Sequence, residues 1–456
     1  MISLDEFQPC IQDDTRLRPF QRTGISWLRS RRNALLADEA GVGKSVQALM
    51  AIDENHRGLV VCPAVAKGVW ENECKKWRPD LKPVVLSGKG NFRWPGDREL
   101  VVINYDILPE NVRNTEKLKI VLIADECHYL KSGSKAARTT NFRAISREAY
   151  RNSGNIYGLS GSPLLNHPLE LWHVLYSLGL SQEAFDSWHR FCHMFSAMQG
   201  RFGMVWGRPS AEVPSRLSRV MLRRLKKDVL KDLPPKTWQD IPAEIDRKTK
   251  NLCDEALLAI AGMGIDLDGA VDDSMLTRLS GAEFTSISSA RKALAMAKIP
   301  AMLDVVGQFE ANEEPLVVFS AHRPPIDLLG ERKGWGCITG DTTGNRADIE
   351  QAFQRGELRG LAITIQSGGV SLTLTRASNA LFVDQTFVPD INKQAEDRLA
   401  RFGQTRGVLI QRLVADHRLD RRLAEILSEK NEIMSGVYGL SGDDLVQEEL
   451  FQEARG

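Results

Sequence analysis

The run Ala34-Leu-Leu-Ala37 leads directly into Asp38-Glu-Ala-Gly-Val-Gly-Lys44-Ser45, and a helix-compatible segment follows from Ser45 to Ile52. An apolar stretch this short, without polar alternation, suits a strand covered on both faces. A glycine loop between such a strand and a helix confines the chain to a parallel α/β architecture with ligands at the C-terminal ends of its strands. Gly41 and Gly43 let successive backbone amides, that of Val42 among them, turn toward phosphate oxygens. Lys44 is placed to bridge the β and γ phosphates, and the Ser45 hydroxyl to ligate magnesium. The strict form of the motif is relaxed, because Glu39 stands where its first glycine would be.

Comparable apolar runs recur at Leu59–Cys62, Leu100–Ile103 and Ile120–Ala124. Asp125 ends the last of these, so its carboxylate emerges at a strand tip, where an aspartate holds magnesium opposite the Ser45 hydroxyl. Glu126 beside it is the candidate base or water-orienting group. No ligands are spaced around His128 for zinc, so His128 is read as coupling this site to the rest of the machine, and Cys127 as packing. Gln21, in Leu17-Arg-Pro-Phe-Gln-Arg22, offers an amide matched to the donor and acceptor edge of adenine. These residues together imply hydrolysis of a nucleoside triphosphate, ATP with Mg2+.

A second set of short apolar runs covers Pro315–Ser320, Gly336–Gly340, Leu361–Ile365, Asn379–Asp384 and Val408–Leu413, with a helix read over Asn392–Phe402. The 456 residues exceed one ordinary core. Four regions are expected: an ATP-binding lobe over 1–164, a helical insertion and basic region over 165–240, a helical linker and second insertion over 241–310, and a second lobe over 311–456. Net charge is only +1, but eight Lys or Arg against two Asp crowd Arg216–Lys236, a segment read as a basic helix broken at Leu233-Pro-Pro-Lys236. Such a strip can meet phosphates even when the total charge is near zero. The seven cysteines lack Cys-x-x-Cys spacing, no 18 apolar residues run together, and the N-terminus has no export pattern. A cytoplasmic, non-membrane protein is the expectation.

The ordered set of motifs resembles the Swi/Snf family of superfamily two helicase-like ATPases. It comprises Gln21, the phosphate loop, Val60–Ala64 with Trp70 and Trp77, Val102–Tyr105, Asp125–His128 and Leu159-Ser-Gly-Ser-Pro163. The narrowing hallmark is Met221-Leu-Arg-Arg-Leu-Lys-Lys-Asp-Val-Leu230 with Leu233–Lys236. Gly368-Gly-Val-Ser-Leu372 and Gln394–Gln404 complete the set. The resemblance implies an α/β fold of two RecA-like lobes, each a parallel sheet flanked by helices, with family-type helical insertions near their junction. It assigns Arg398 and Arg401, read as sharing one helix face, to the triphosphate, where developing charge calls for guanidinium donors. Ser160 and Ser162 become hydroxyls that link nucleotide state to DNA grip, and Gly368 and Gly369 points of close backbone approach. Arg223, Arg224, Lys226 and Lys227 become a brace and phosphate-facing patch, with Gln404 completing the frame. Ser371 and Thr373 depart from the family's usual glycine and asparagine, a departure that touches DNA coupling more than catalysis.

The implied activity is ATP hydrolysis coupled to translocation on double-stranded or forked DNA, remodelling DNA or protein–DNA complexes without processive strand separation. The alternative is a strand-separating or annealing DNA helicase acting at forks. A monomeric motor targeted by a protein partner fits either reading.

Overall fold

The structure is a computed structural model that describes residues 16–52, 57–161, 163, 168–200, 203–262, 281–342, 346–368, 372–386, 388–401, 403–421 and 437. It divides into two compact units, the main change-over falling between Lys231 and Asp232.

The first unit is built on β1 (Asn33–Leu36), β2 (Arg57–Cys62), β3 (Lys82–Val85), β4 (Glu99–Asn104), β5 (Ile120–Asp125) and β6 (Asn155–Leu159). A separate two-stranded sheet is formed by β7 (Met198–Gly200) and β8 (Gly203–Val205), and β9 (Met221–Leu222) then joins the main sheet. The main order is β3-β4-β2-β5-β6-β1-β9, and every pairing is parallel. Helices α1 (Pro19–Arg29), α2 (Lys44–Ala51), α3 (Lys67–Trp77), α4 (Ala137–Arg151) and α5 (Pro168–Ser177) accompany the strands. Leu59, Val60, Val61, Val101, Val102, Leu122 and Ile123 are all buried. Two-sided burial is the reason these strands read as unbroken apolar runs.

Register fixes what the sheet can present. Asp125 pairs with Leu159, Leu159 with Leu36, and Leu36 with Leu222, so four strand tips lie in one row. The residues that follow, Glu126, Ser160, Ala37 and Arg223, leave the sheet together at its C-terminal edge.

The second unit holds β10 (Lys236–Ala243), β11 (Leu316–Ser320), β12 (Trp335–Ile338), β13 (Gly360–Thr364), β14 (Asn379–Phe382) and β15 (Val408–Ala415). Their order is β10-β15-β14-β11-β13-β12, again parallel throughout. Val317, Phe319, Leu361, Ile363 and Phe382 form one core with Leu399 and Ile410. Helices over Arg247–Gly262, Gly281–Ala297 and Ile299–Ala311 come from the stretch expected to be helical. No helix among the described residues is long and apolar enough to cross a membrane.

Two local expectations are corrected. Arg216–Leu230 is not one basic helix: a short helix ends at Leu217, β9 follows, and one further turn covers Lys226–Val229. Tertiary pairing overrides helix propensity here, because Met221 and Leu222 complete the sheet beside β1. The helix read over Asn392–Phe402 spans Pro389–Glu396, and residues 397–400 are turns and a bend. Arg398 and Arg401 therefore do not share a helix face. In addition, β10 crosses the boundary drawn at residue 240, and its eight residues pair along β15.

Candidate functional site

The phosphate loop leaves β1 at Ala37 and enters α2 at Lys44. Gly41 and Gly43 adopt φ of 84° and 83°, the left-handed region that side chains resist. Gly43 is the residue that caps α2. A Cβ there would also fall 2.5 Å from Gln21 Nε2 and push that amide aside. Val42 is buried, and its carbonyl accepts a hydrogen bond from Gln21 Nε2 at 3.2 Å. Gln21 Oε1 accepts from the backbone amide of Arg18 at 3.0 Å. The residue expected at adenine thus ties the start of α1 to the loop.

Lys44 Nζ donates to the carbonyls of Asp38 (2.7 Å) and Glu39 (3.0 Å). Burial lowers its pKa, while Glu126, Asp38 and Asp125 pull the other way. Ser45 lies in the first turn of α2.

Asp125 closes β5 under tight control. Its Oδ2 accepts from Trp70 Nε1 at 2.7 Å, its Oδ1 from the Glu126 amide at 3.1 Å, and its carbonyl from Tyr105 Oη at 2.8 Å. Burial, then the neighbouring Glu126 charge, pushes its pKa up to about 6. Glu126 has φ 47°, ψ 53°, a left-handed conformation that is costly for a residue with a Cβ. That backbone turn brings Glu126 Oε2 within 3.2 Å of His128 Nδ1, which also lies 3.2 Å from Ser160 Oγ. Ser160 is fully buried at the tip of β6. His128 and Ser160 therefore gather with Glu126 inside the first unit. Ser162 lies outside the described residues.

One carboxylate, that of Asp125, and one hydroxyl, that of Ser45, form a sparse donor set. No group of three or more His, Cys, Asp or Glu suited to a metal occurs among the described residues. Magnesium accepts such a set, because phosphates and waters complete its octahedron. A buried carboxylate whose ionised form is disfavoured by its acidic neighbour is the electrostatic setting that a cation relieves. The residues present fit the ion.

The basic hallmark takes a different place from the one expected. Arg224 is 8% exposed, and Asp38 is 0% exposed. Arg224 Nε donates to Asp38 Oδ1 at 2.9 Å, and Nη2 reaches both Asp38 Oδ2 and Gln47 Oε1, the latter at 2.7 Å. Its Nη1 donates to the carbonyl of Phe20. Arg223 Nη1 donates to the carbonyls of Ala37 (2.9 Å) and Gly161 (2.8 Å), and the Lys226 amide donates to Glu39 Oε2 at 2.6 Å. Of the brace and phosphate-facing roles expected, Arg224 takes a bracing position, as a buried counter-ion beneath the phosphate loop. Lys226 is also buried, and of the four hallmark cations only Lys227 is exposed. Gly24 permits this bracket, since a Cβ there would lie 1.8 Å from Gln47 Oε1 and 2.8 Å from Arg224 Nη2. Sequence reading did not single out Asp38, Gln47 or Gly24 for this contact. The available signal was an acidic residue placed directly after a buried strand.

In the second unit, Lys236 Nζ meets Glu396 Oε2 at 3.4 Å and Asp397 Oδ1 at 2.9 Å. The arginine-bearing segment follows directly. The Arg398 carbonyl accepts from the Leu374 amide at 3.0 Å, and Arg401 Nη1 donates to the Leu372 carbonyl at 2.9 Å. Both arginines therefore adjoin the strand-end segment that carries the glycine motif. Gly368 ends a helical turn over Ile365–Gly368, while Gly369 lies outside the described residues. Gln404 is 5% exposed, and its Nε2 donates to the carbonyls of Thr375, Ala377 and Leu399. Its Oε1 accepts from the amides of Thr405 and Arg406. Gln404 thus clamps the fold around the arginine-bearing segment whose frame it was expected to complete.

Comparison with known proteins returns the signature of the SNF2-related domain over residues 20–279. The mouse (Mus musculus) protein named DNA annealing helicase and endonuclease ZRANB3 is 30% identical over 92% of this chain and 40% of its own length. A Caenorhabditis elegans homologue of the SWI/SNF-related matrix-associated actin-dependent regulator of chromatin subfamily A-like protein 1 is 29% identical over 94% of this chain and 62% of its own. An uncharacterized ATP-dependent helicase of Mycoplasma pneumoniae is 24% identical, with 92% and 42% covered. The chain spans less than two thirds of each of these relatives. Among solved structures, the Sulfolobus solfataricus SWI2/SNF2 ATPase core in complex with dsDNA matches at a TM-score of 0.41 and 20% identity, over 94% of this chain and 96% of that one.

Proposed function

Because this chain belongs to the SNF2-related family of helicase-like ATPases, we propose that it hydrolyses ATP to drive movement along double-stranded DNA without processive strand separation. The observation that carries the catalytic half is the row of strand tips that gathers Lys44, Asp125 and Glu126 at one edge of one sheet. ATP is the substrate. The phosphate loop binds its phosphates through the amides freed by Gly41 and Gly43, and Lys44 exchanges its carbonyl partners for phosphoryl oxygens. Gln21 orients the adenine. Ser45 and Asp125 would hold magnesium, which supplies charge neutralisation on the phosphates. Glu126, held by its backbone turn and adjoining His128, orients water for attack and takes its proton. Arg398 and Arg401 offer guanidinium donors to the charge that develops on the γ phosphoryl group. His128 and Ser160 pass the state of that group to the DNA-gripping surface.

On DNA, contacts fall mainly on phosphates, so binding is sequence-tolerant and weakens steeply with salt. Lys227, Gly368 and Gly369 are the proposed contributors, and Arg223 acts from the loop side. Strand separation or annealing at forks is the second reading, favoured by the name of the ZRANB3 relative, a DNA annealing helicase. Targeting by a protein partner belongs to either reading.

ATP turnover measured in parallel without nucleic acid, and with single-stranded DNA, blunt duplex, forked duplex and RNA, tests both. The duplex should stimulate strongly, and a third strand should be displaced from blunt duplex. Stimulation by single-stranded DNA or RNA alone would overturn the proposal. A preference for forks together with strand annealing would establish the second reading.

A further inference from the structure

The opposite edge of the first sheet carries a cavity of about 300 Å³ whose lining includes Asn33, Arg143, Arg147, Tyr150, Arg151 and Tyr176. Asn33 opens β1 and Ile156 lies at the start of β6, so the cavity sits at the N-terminal ends of the strands. The phosphate loop begins five residues beyond Asn33, roughly 15 Å away along an extended strand.

Three features mark the cavity as a place for an anion. Arg143, Arg147 and Arg151 are spaced by four along α4 and share one face. Like charges at that spacing repel, and no acidic residue lines the cavity itself, although Glu148 beside it pairs with Arg151. Arg143 is also only 8% exposed, yet its donors meet neutral hydroxyls: Nε reaches Ser177 Oγ at 2.9 Å and Nη1 reaches Ser134 Oγ at 3.1 Å. Its Nη2 is buried without a hydrogen-bond partner, and so is Asn33 Oδ1. An unmet buried donor on a cation is costly, and a phosphoryl oxygen would satisfy it once the guanidinium turns toward the cavity that Arg143 lines.

The walls are also aromatic. The Arg143 guanidinium carbon lies 4.7 Å from the Tyr176 ring centroid, and that of Arg32 lies 3.7 Å from the Tyr150 centroid. Both tyrosines are about half exposed, at 51% and 48%. Arg151 is satisfied by Glu148 at 2.8 Å, which leaves Arg147, exposed at the rim, as the second cation for a ligand.

We propose that this cavity binds the phosphoryl group of a small phosphorylated molecule, at a site separate from the phosphate loop. The test titrates pyrophosphate calorimetrically into the full chain and its Lys44→Ala, Arg147→Glu, Arg147→Lys and Lys44→Ala/Arg147→Glu variants. Lys44→Ala should leave one class of pyrophosphate site, and adding Arg147→Glu should weaken it at least about tenfold. Arg147→Lys should retain most of it, and Arg147→Glu alone should leave ATP turnover without DNA unchanged. A residual site in Lys44→Ala that ignores Arg147→Glu would overturn the proposal. So would binding of an acidic peptide but not pyrophosphate. A short blunt duplex added as competitor separates the sources: if it displaces pyrophosphate, the phosphoryl group is a nucleic-acid backbone and the small-molecule assignment falls.

Discussion

Removing the Arg224 guanidinium should cost the first unit far more than a surface charge would. The side chain makes four hydrogen bonds, two of them to the carboxylate of Asp38, which is 0% exposed. Arg224→Gln leaves that carboxylate buried without its cation, with Gln47 Nε2 at 3.3 Å as a neutral donor. Breaking a buried pair from one side costs about 3–5 kcal/mol. At about 1.4 kcal/mol per decade, that is roughly two to four decades in the unfolding equilibrium. Asp38→Asn should cost a similar amount, since it strands the guanidinium instead. The double variant Arg224→Gln/Asp38→Asn places two neutral amides together, and its cost should fall short of the summed single costs by about 2–3 kcal/mol. Urea unfolding followed by tryptophan fluorescence reads this as a midpoint shift at constant slope. A loss below about 1 kcal/mol for Arg224→Gln, in the range of an exposed pair, would refute the assignment. Simple additivity in the double variant, within about 0.5 kcal/mol, would do so as well.

Other perturbations separate the remaining roles. Lys44→Ala should abolish nucleotide binding in a fluorescent-nucleotide titration, whereas Arg401→Ala should keep binding and lose phosphate release. Glu126→Gln should retain binding while turnover falls by about two to four orders of magnitude, the usual contribution of a positioned base; near-normal turnover would exclude that role. Gly24→Ala should destabilise the first unit by about 1–3 kcal/mol through collision with Gln47 and Arg224, read in the same urea assay. At Asp384, burial alone would raise the carboxyl, but His322 Nδ1 at 2.6 Å, Ser320 Oγ at 2.5 Å and the nearby Arg291 hold it below its ordinary value. A lowered folded pKa means stability that is present above the ordinary carboxylate range and lost as pH falls through the folded value. Acid unfolding below about pH 4 should therefore be less steep in Asp384→Asn than in the parent, and an unchanged acid limb would contradict the assignment.

The parts of the fold legible in sequence were those whose signal is local. Ile120–Ala124 and Pro315–Ser320 read as strands because burial on both faces requires continuous apolar residues. The phosphate loop was legible for a related reason: Gly41 and Gly43 sit where the backbone takes left-handed angles. Arg224 was not legible as a buried counter-ion. A run of cations looks the same whether it faces solvent or a carboxylate 186 residues away, and no spacing rule announces that β9 pairs with β1. The clamp made by Gln404 was not legible for a similar reason, because an amide that serves five backbone groups is indistinguishable by composition from one that faces a ligand. The arginines at 398 and 401 carried a helical spacing, but the helix stops at Glu396.

The pairing of β1 with β9 also sets a timetable. Asp38 and Arg224 are separated by 186 residues of chain, so at about 5–20 residues per second the ribosome adds the arginine roughly 10–40 s after the aspartate. Throughout that interval β1 lacks one neighbour, and the carboxylate beneath the phosphate loop lacks its cation. The loop is synthesised well before the residues that secure it. A nascent chain that halts before Leu222 carries the full phosphate-binding sequence with its supporting bracket still unmade.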